Sequence, residues 1–342
     1  MNAQKFVRTA VALWGGTLLT AATWAASASP AAVTARAVQQ ANAFLDTLSQ
    51  PQRTAAVFAF TDQVQRKNWS NLPTPLYTRA GLRLADLTPK QREAALAALA
   101  ALLSESGYQK IHDIMEGDEL LRTPDNGKII FGRDEFFISF VGTPSLTKPW
   151  TLQFGGHHLA INATVAGDKG VLTPSHTAAQ PATYTLNGKT IRPLGAESDR
   201  AFALINSLNA AQQSKAIIGA KFRDLVLGPG KDGVNLVPEG IPASELTAEQ
   251  QVQLWALAKE WVGIIHADAA AAKMTEIQSQ VGQTFFAWSG PTTPGSAAYF
   301  RIQGPTVVIE FAPQSLGGSP INHIHTIYRD PSNEYGQKWW PK

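Results

Sequence analysis

The sequence contains no cysteine, which excludes disulfides, thiolate metal ligands and cysteine nucleophiles. It also lacks a P-loop, a Gly-x-Gly-x-x-Gly pattern directly after a strand, and the Gly-x-Ser-x-Gly turn of serine hydrolases. Residues 228–233 are rich in glycine, but they lack the P-loop spacing and are interpreted as an exposed loop. No block of like charges occurs in its 342 residues, and 29 basic residues nearly balance 26 acidic ones. These absences argue against thiol and ordinary nucleotide enzymes and against nucleic acid as a partner. They leave a globular protein that depends on core packing for its stability.

The first 28 residues have the features of a secretory signal peptide. Lys5 and Arg8 precede an apolar run from Thr9 to about Trp24, and small residues follow at 26–28. The apolar run is shorter than the ~20 residues that span a bilayer. We therefore predict a periplasmic or secreted protein with no stable membrane anchor after cleavage. Loss of Lys5 and Arg8 brings the mature chain even closer to neutral than the formal +3 of the full sequence.

Matching segments indicate an internal repeat, which decides the predicted architecture. Residues 44–52 resemble 204–212, residues 87–91 resemble 246–250, and residues 136–142 resemble 285–290. The first two pairs contain capping boxes, in which Ser, Thr or Asn is followed three residues later by Gln. We predict an α+β protein made of two related α-then-β halves, residues 29–190 and 191–342, that pack helices against antiparallel sheets.

The helices after the second capping boxes carry apolar faces at helical spacing, which predicts that they pack on the sheets. On this basis Trp255 and Trp261 are expected in the core rather than against a ligand. The residues of the two faces are Leu96, Leu99 and Leu103 in the first half, and Leu254, Ala258, Trp261 and Ile265 in the second.

Four of the seven histidines lie in two short β-type segments, and they are the strongest indication of chemistry. His157 and His158 follow a double glycine at which the alternation of apolar residues changes phase, which predicts a β-bulge. Adjacent residues on a strand point to opposite faces, so at most one of the two histidines should enter a given site. We favour His158 as a metal ligand, with His157 as the second candidate. The alternative is a hydrogen-bonded histidine in a half-buried sheet.

The second segment has the pattern His-x-His. On a strand, His323 and His325 share one face with Ile327 and Arg329. Two imidazoles on one rigid strand can bind one metal ion, although the pattern also occurs by chance.

Two further patterns contain acids near candidate histidines. Glu310 is a lone acid in an apolar strand, where it could complete a metal site, act as a general base or pair with Arg301 or Arg329. His112 and Glu116 have ligand-like i, i+4 spacing, but the His-Glu-x-x-His motif of zinc proteases is absent. We interpret the remaining histidines, His176 and His266, as structural or surface residues.

Several of these segments together resemble the domain of unknown function 3500 family, whose members are mostly bacterial. The resemblance covers nearly all of the mature chain but implies no established activity. The segments that carry it are 87–91, 104–108, 156–162, 285–290, 323–330 and 333–336.

Two functional hypotheses follow from the sequence. In the first, His158, His323 and His325 bind zinc or copper between β-elements, Glu310 or His157 moves protons, and Arg329 stabilises an anionic oxygen. Hydrolysis then ranks before oxidation. In the second, the protein is a non-catalytic binding protein for a small molecule or glycan. Its ligand would stack on exposed tryptophans such as Trp69, Trp150 and Trp339. A purely structural envelope protein is a third reading.

Overall fold

All four predicted capping boxes are present in a computed structural model of the protein, which describes residues 30–340. The boxes also bind each other in pairs. Nε2 of Gln91 donates to Oε1 of Gln52 at 3.1 Å, and Nε2 of Gln250 donates to Oε1 of Gln212 at 3.0 Å. The capping glutamines thus tie two helix starts together in addition to satisfying free backbone N–H groups. The N-cap residues of the four boxes are Ser49, Thr88, Asn209 and Thr247.

The α-helices of the described chain are α1 (Pro30–Leu45), α2 (Gln50–Ala56), α3 (Gln63–Arg66), α4 (Pro89–Ala100), α5 (Glu105–Leu120), α6 (Gly195–Ser207), α7 (Ala210–Ala216), α8 (Ala248–Val262) and α9 (Ala267–Gln278). Their buried faces follow the predicted spacing. In α8 the side chains of Leu254, Ala258 and Trp261 are fully buried, while Val252 is exposed.

The strands are β1 (Val57–Phe58), β2 (Leu82–Arg83), β3 (Phe137–Val141), β4 (Trp150–Gly156), β5 (Leu159–Ala166), β6 (Lys169–Ala179), β7 (Tyr184–Leu186), β8 (Lys189–Ile191), β9 (Ile217–Gly219), β10 (Ile241–Pro242), β11 (Phe285–Ser289), β12 (Tyr299–Gly304), β13 (Val307–Pro313) and β14 (Ile324–Arg329). All except the β7–β8 hairpin form one 12-stranded, mostly antiparallel sheet. Its central order is β3-β4-β5-β6-β14-β13-β12-β11. Strands β6 and β14, which are far apart in the sequence, therefore pair with each other near the middle of the sheet.

The two faces of this sheet differ in chemistry, because alternate residues of a strand point to opposite sides. One face is mostly apolar, and the helices pack on it. The contact is seen at Trp261 of α8, whose Nε1 donates to Oγ1 of Thr326 on β14 at 2.9 Å. The other face carries polar residues such as Gln153 and Arg329. Residues 59–81 and 220–240, which have little regular structure, cover it: Gln65 donates to Gln153, and Arg329 donates to a backbone oxygen of the second segment.

The prediction of a mixed α+β protein with helices against antiparallel strands is thus confirmed. The predicted signal peptide, residues 1–28, lies outside the described residues. Among residues 30–340, no helix combines the length and the apolar character needed to cross a membrane.

Candidate metal centre

The two adjacent histidines form a tight turn instead of the β-bulge that the sequence predicts. Gly156 at the end of β4 pairs with Leu159 at the start of β5, so His157 and His158 are the two central residues of a hairpin. His158 has a φ of 64°, a left-handed conformation that costs a side-chain-bearing residue roughly 1–2 kcal/mol. Strain of this kind is typical of functional positions. The backbone N–H of His158 donates to the oxygen of Asn71 at 3.2 Å, and its oxygen accepts from Ala178 at 2.9 Å.

The turn also overturns the expectation that only one of the two histidines can reach a given site. That expectation assumed a strand, in which neighbouring side chains diverge. In the turn, the rings of His157 and His158 stack with their centroids 3.5 Å apart. Both rings are therefore in contact and can take part in one site.

Three imidazole nitrogens from distant parts of the chain converge beside this turn. Nε2 of His158 lies 3.0 Å from Nε2 of His323, which in turn lies 2.9 Å from Nε2 of His325. All three side chains are buried, and their ligand atoms lie within 4.8 Å of one another. Zinc–nitrogen bonds of 2.0–2.1 Å in tetrahedral geometry would place neighbouring nitrogens about 3.3 Å apart. This histidine triad (His158, His323 and His325) could therefore hold a metal ion.

Hydrogen bonds on the far side of the rings favour metal binding through Nε2. Nδ1 of His323 donates to the backbone oxygen of Leu316 at 2.5 Å, so in the neutral ring the lone pair is on Nε2. Nδ1 of His325 lies 3.5 Å from the amide of Asn71, whose oxygen can take this position when the amide turns over. The rings of His323 and His325 thus each have a partner that can hold the ring proton away from the centre.

Proton sharing alone does not satisfy the triad. The Nε2 atom of His323 has one lone pair and two close nitrogen neighbours, so it can accept from only one of them. A cation that accepts lone pairs from all three nitrogens removes this conflict. Three neutral imidazoles suit zinc and copper, and three protein ligands leave a coordination position open.

The protonation of the triad is also suppressed. Burial lowers the pKa of both His158 and His325 well below the usual value of 6.5, and the neighbouring imidazoles lower it further. Burial likewise lowers the pKa of His323. The rings therefore stay neutral and able to bind metal at pH values where an exposed histidine would be protonated.

Asp118, at the buried side of α5, holds the other histidine of the turn. Nδ1 of His157 donates to Oδ1 of Asp118 at 2.5 Å, and Oδ2 accepts from the backbone N–H of Gly132 at 2.9 Å. With His158, these two residues form a second buried group of ligand atoms. Sequence interpretation missed Asp118, although a signal was present. Together with Ile111 and Ile114 it forms the buried stripe of an amphipathic helix, where acids are rare.

His176 on β6 lies next to the triad but outside it. Its ring centroid is 5.2 Å from that of His325 and 6.4 Å from that of Trp69. It is fully buried, neither ring nitrogen has a hydrogen-bond partner, and burial lowers its pKa to about 3. His266, the other histidine interpreted as structural, caps α9 by accepting from the N–H of Ala269 at 3.5 Å.

A cleft of about 670 Å³ opens over the triad and the His157 ring. Its size is in the range of small-molecule sites. The residues that line it besides these four histidines are mostly apolar: Leu72, Pro73, Leu76, Leu121, Ile129, Phe131, Leu225, Pro229 and Leu316, with Asn71, Asn126, Gln180, Asp224, Gly228, Lys231, Gln314 and Gly317.

Glu310, predicted as a catalytic base or ligand, belongs to a different network. It is fully buried, and its carboxylate accepts from the N–H groups of Val226 and Leu227 at 3.0 and 2.8 Å and from Oη of Tyr299 at 2.6 Å. It is in neither group of metal-ligand atoms. The isolated acid in an apolar strand is thus explained by a carboxylate that anchors segment 220–240 to the sheet.

We expect Glu310→Gln to destabilise the fold by about 2–4 kcal/mol, because the neutral amide weakens the bonds from Tyr299 and Val226 and turns an N–H toward that of Leu227. Urea unfolding measures the change, and Glu105→Gln, on an exposed helix start, is the matched control. The metal content should not change in either variant. If Glu310→Gln remained fully folded but lost its metal, Glu310 would belong to the metal site after all.

Arg329, predicted to stabilise an anionic oxygen, is also fully engaged elsewhere. Its guanidinium donates to the backbone oxygens of Leu227 and Gly228 and pairs with the carboxylates of Asp232 and Glu334. Arg329 is not among the residues that line the cleft, whereas Lys231 is.

The remaining sequence candidates are not among the residues that line the cleft. His112 is half exposed, and its partner Glu116 is buried and binds Arg133 at 3.1 Å, so the i, i+4 pair belongs to an ion-pair group with Arg133. Trp69 and Trp150 are buried, contrary to their predicted role as exposed stacking surfaces. Trp339 is half-buried.

Residues 30–337 match the family described as "Protein of unknown function (DUF3500)", and the chain belongs to this family. The resemblance seen in the sequence is thereby confirmed. Neither a curated protein nor a solved structure matches the chain.

Proposed function

We propose that the protein is an exported metal-dependent hydrolase that binds one zinc or copper ion through the histidine triad. The observation that carries this proposal is the convergence of three Nε2 atoms of neutral imidazoles, 2.9–3.0 Å apart along the triad, in the lining of an open cleft. A metal ion there would polarise a substrate oxygen and lower the pKa of a bound water toward neutrality. Zinc is our first choice because three nitrogen ligands with an open position are typical of catalytic zinc.

His157 is the proposed general base. It stacks on a triad ring and lines the cleft, so it lies beside any water at the open position. Asp118 accepts its Nδ1 proton, which leaves the Nε2 lone pair free to take a proton. This role replaces the one that sequence interpretation divided between His157 and Glu310. Lys231 is the cationic side chain among the residues that line the cleft. It takes over the role predicted for Arg329, which is to stabilise an anionic oxygen.

The proposal is tested by hydrolysis of 4-nitrophenyl esters of straight-chain carboxylic acids. The untagged protein is freed of metal with a chelator, dialysed, and assayed before and after addition of one equivalent of zinc or copper. Turnover should appear on reloading and should be absent in His325→Ala. Equal rates in the metal-free and reloaded protein would sink the proposal. Stoichiometric metal without turnover would favour the alternative, a non-catalytic binding protein for a small molecule.

We expect Asp118→Asn to lower the rate of the reloaded protein by a factor of about 10²–10⁴, the usual contribution of general acid–base catalysis. The asparagine keeps the shape of the aspartate but removes the charge that orients His157. The metal content should be unchanged, because Asp118 is not in the triad. His112→Gln, on an exposed face of the same helix, is the control and should keep the full rate. An unaffected rate in Asp118→Asn would rule out the base role.

A glycan as the ligand has less support than a small apolar molecule, because two of the three tryptophans that suggested it are buried.

We further propose that the two halves of the chain are an internal repeat. The order of elements supports this. In each half a long helix, a capped helix and a short parallel strand precede a second capped helix, a further helix and four antiparallel strands.

A further inference from the structure

The walls of the cleft are apolar although they face solvent. Leu72 and Leu76 come from segment 59–81 and are 41% and 58% exposed, and Leu316, from the loop between β13 and β14, is 83% exposed. Leu316 is also the residue whose backbone oxygen holds His323. The apolar rim and the histidine triad are thus parts of one structure, and a group of exposed leucines at a site is typical of ligand binding.

The polar side chains of the lining are largely occupied by the protein itself. The amide groups of Asn126, Gln180 and Gln314 donate to Leu121, to Gly317 and to Asp224, at 2.6–2.8 Å. A sugar needs many free hydrogen-bonding groups, and this lining offers few.

Charge also restricts the ligand. Among the described residues that line the cleft, Lys231 is the one Lys or Arg side chain. Phosphate groups are generally bound by arginine forks or several cations. A polyphosphate or nucleotide, which carries several negative charges, would therefore find only Lys231 and the proposed metal ion to bind here.

We infer that the cleft accepts a carboxylic ester with an alkyl acyl chain, whose carbonyl oxygen reaches the histidine triad and whose chain lies against Leu72, Leu76 and Leu316. The inference rests on the proposed function for the metal-binding end of the ligand. The position of the alkyl chain is inferred from the apolar lining of the cleft alone. An alkyl chain gains affinity from each methylene that it buries, so chain length is the property to vary.

The test uses two series of non-ester probes, the hydroxamates and the primary amides of straight-chain acids from acetic to decanoic. Both are titrated calorimetrically into the zinc-loaded protein. Affinity should rise about fourfold per added methylene while the chain remains inside the cleft, in both series. Hydroxamates should bind more tightly than amides, because they chelate zinc.

The double variant Leu72→Ser, Leu76→Ser should flatten the dependence on chain length and weaken decanoyl binding about tenfold or more at an unchanged zinc content. Val252→Ser, on the exposed face of α8, is the control and should bind like the parent. Flat affinity in the parent, or the same dependence in the double variant, would overturn the inference. A retained dependence on chain length without preference for hydroxamates would instead count against the metal site.

Discussion

Replacement of His323 and His325 by alanine is expected to abolish metal binding. The parent, purified without a histidine tag, should contain or take up one zinc or copper ion per chain, and the double variant none. The double variant leaves His158 as the one remaining nitrogen ligand of the triad, and a single imidazole does not hold a zinc or copper ion. Two ligands fewer should cost far more than the 10–100-fold that a partner behind a ligand contributes to metal affinity.

Substitutions of residues next to the triad should weaken metal binding less than substitutions within the triad. Asn71→Ala, which removes a partner behind His325, should weaken metal affinity by about 10–100-fold without abolishing binding. His176→Leu should retain the metal, because His176 is in neither group of ligand atoms. Elemental analysis gives the stoichiometry and titration against a chelator gives the affinity. A parent that takes up no metal after reconstitution, or a double variant that keeps it, contradicts the proposed site.

The metal-free protein is expected to lose most of its stability between about pH 6.5 and pH 5. Burial lowers the pKa of His158, His176 and His325 below the unfolded value of 6.5. As the pH falls through this window, the unfolded chain takes up protons that the folded chain refuses, so unfolding is favoured. Each histidine contributes up to about 1.4 kcal/mol per pH unit. Three together approach about 4 kcal/mol per unit, a large part of a typical free energy of unfolding.

Urea unfolding in the presence of a chelator at pH 7.5, 6.5 and 5.5 measures this dependence. His176→Leu is the informative variant, because it removes one buried imidazole that has no hydrogen-bond partner. Its slope against pH should be smaller by up to about 1.4 kcal/mol per unit. Saturating zinc should raise the stability at pH 7.5, since it binds the folded chain. A metal-free parent equally stable at pH 7.5 and 5.5 would show that the histidines are protonated without cost in the fold.

The local sequence determined the features that depend on neighbouring residues. Four capping boxes start helices because the Ser, Thr or Asn oxygen and the Gln amide lie within three residues of the groups that they bind. His323 and His325 share a face because side chains alternate along a strand. These relations need no knowledge of the rest of the chain.

Tertiary structure alone decided which of these residues meet. Whether a double glycine makes a bulge or leads into a hairpin turn depends on strand register, and here the pairing of Gly156 with Leu159 puts His157 and His158 in the turn. Asp118 binds His157 from a helix that precedes it by 39 residues in the sequence. Glu310 and Arg329 both bind the backbone of Leu227, in segment 220–240, which no local sequence pattern links to them. Sequence periodicity fixes which side of an element a residue occupies. The position of that side in the molecule results from long-range packing.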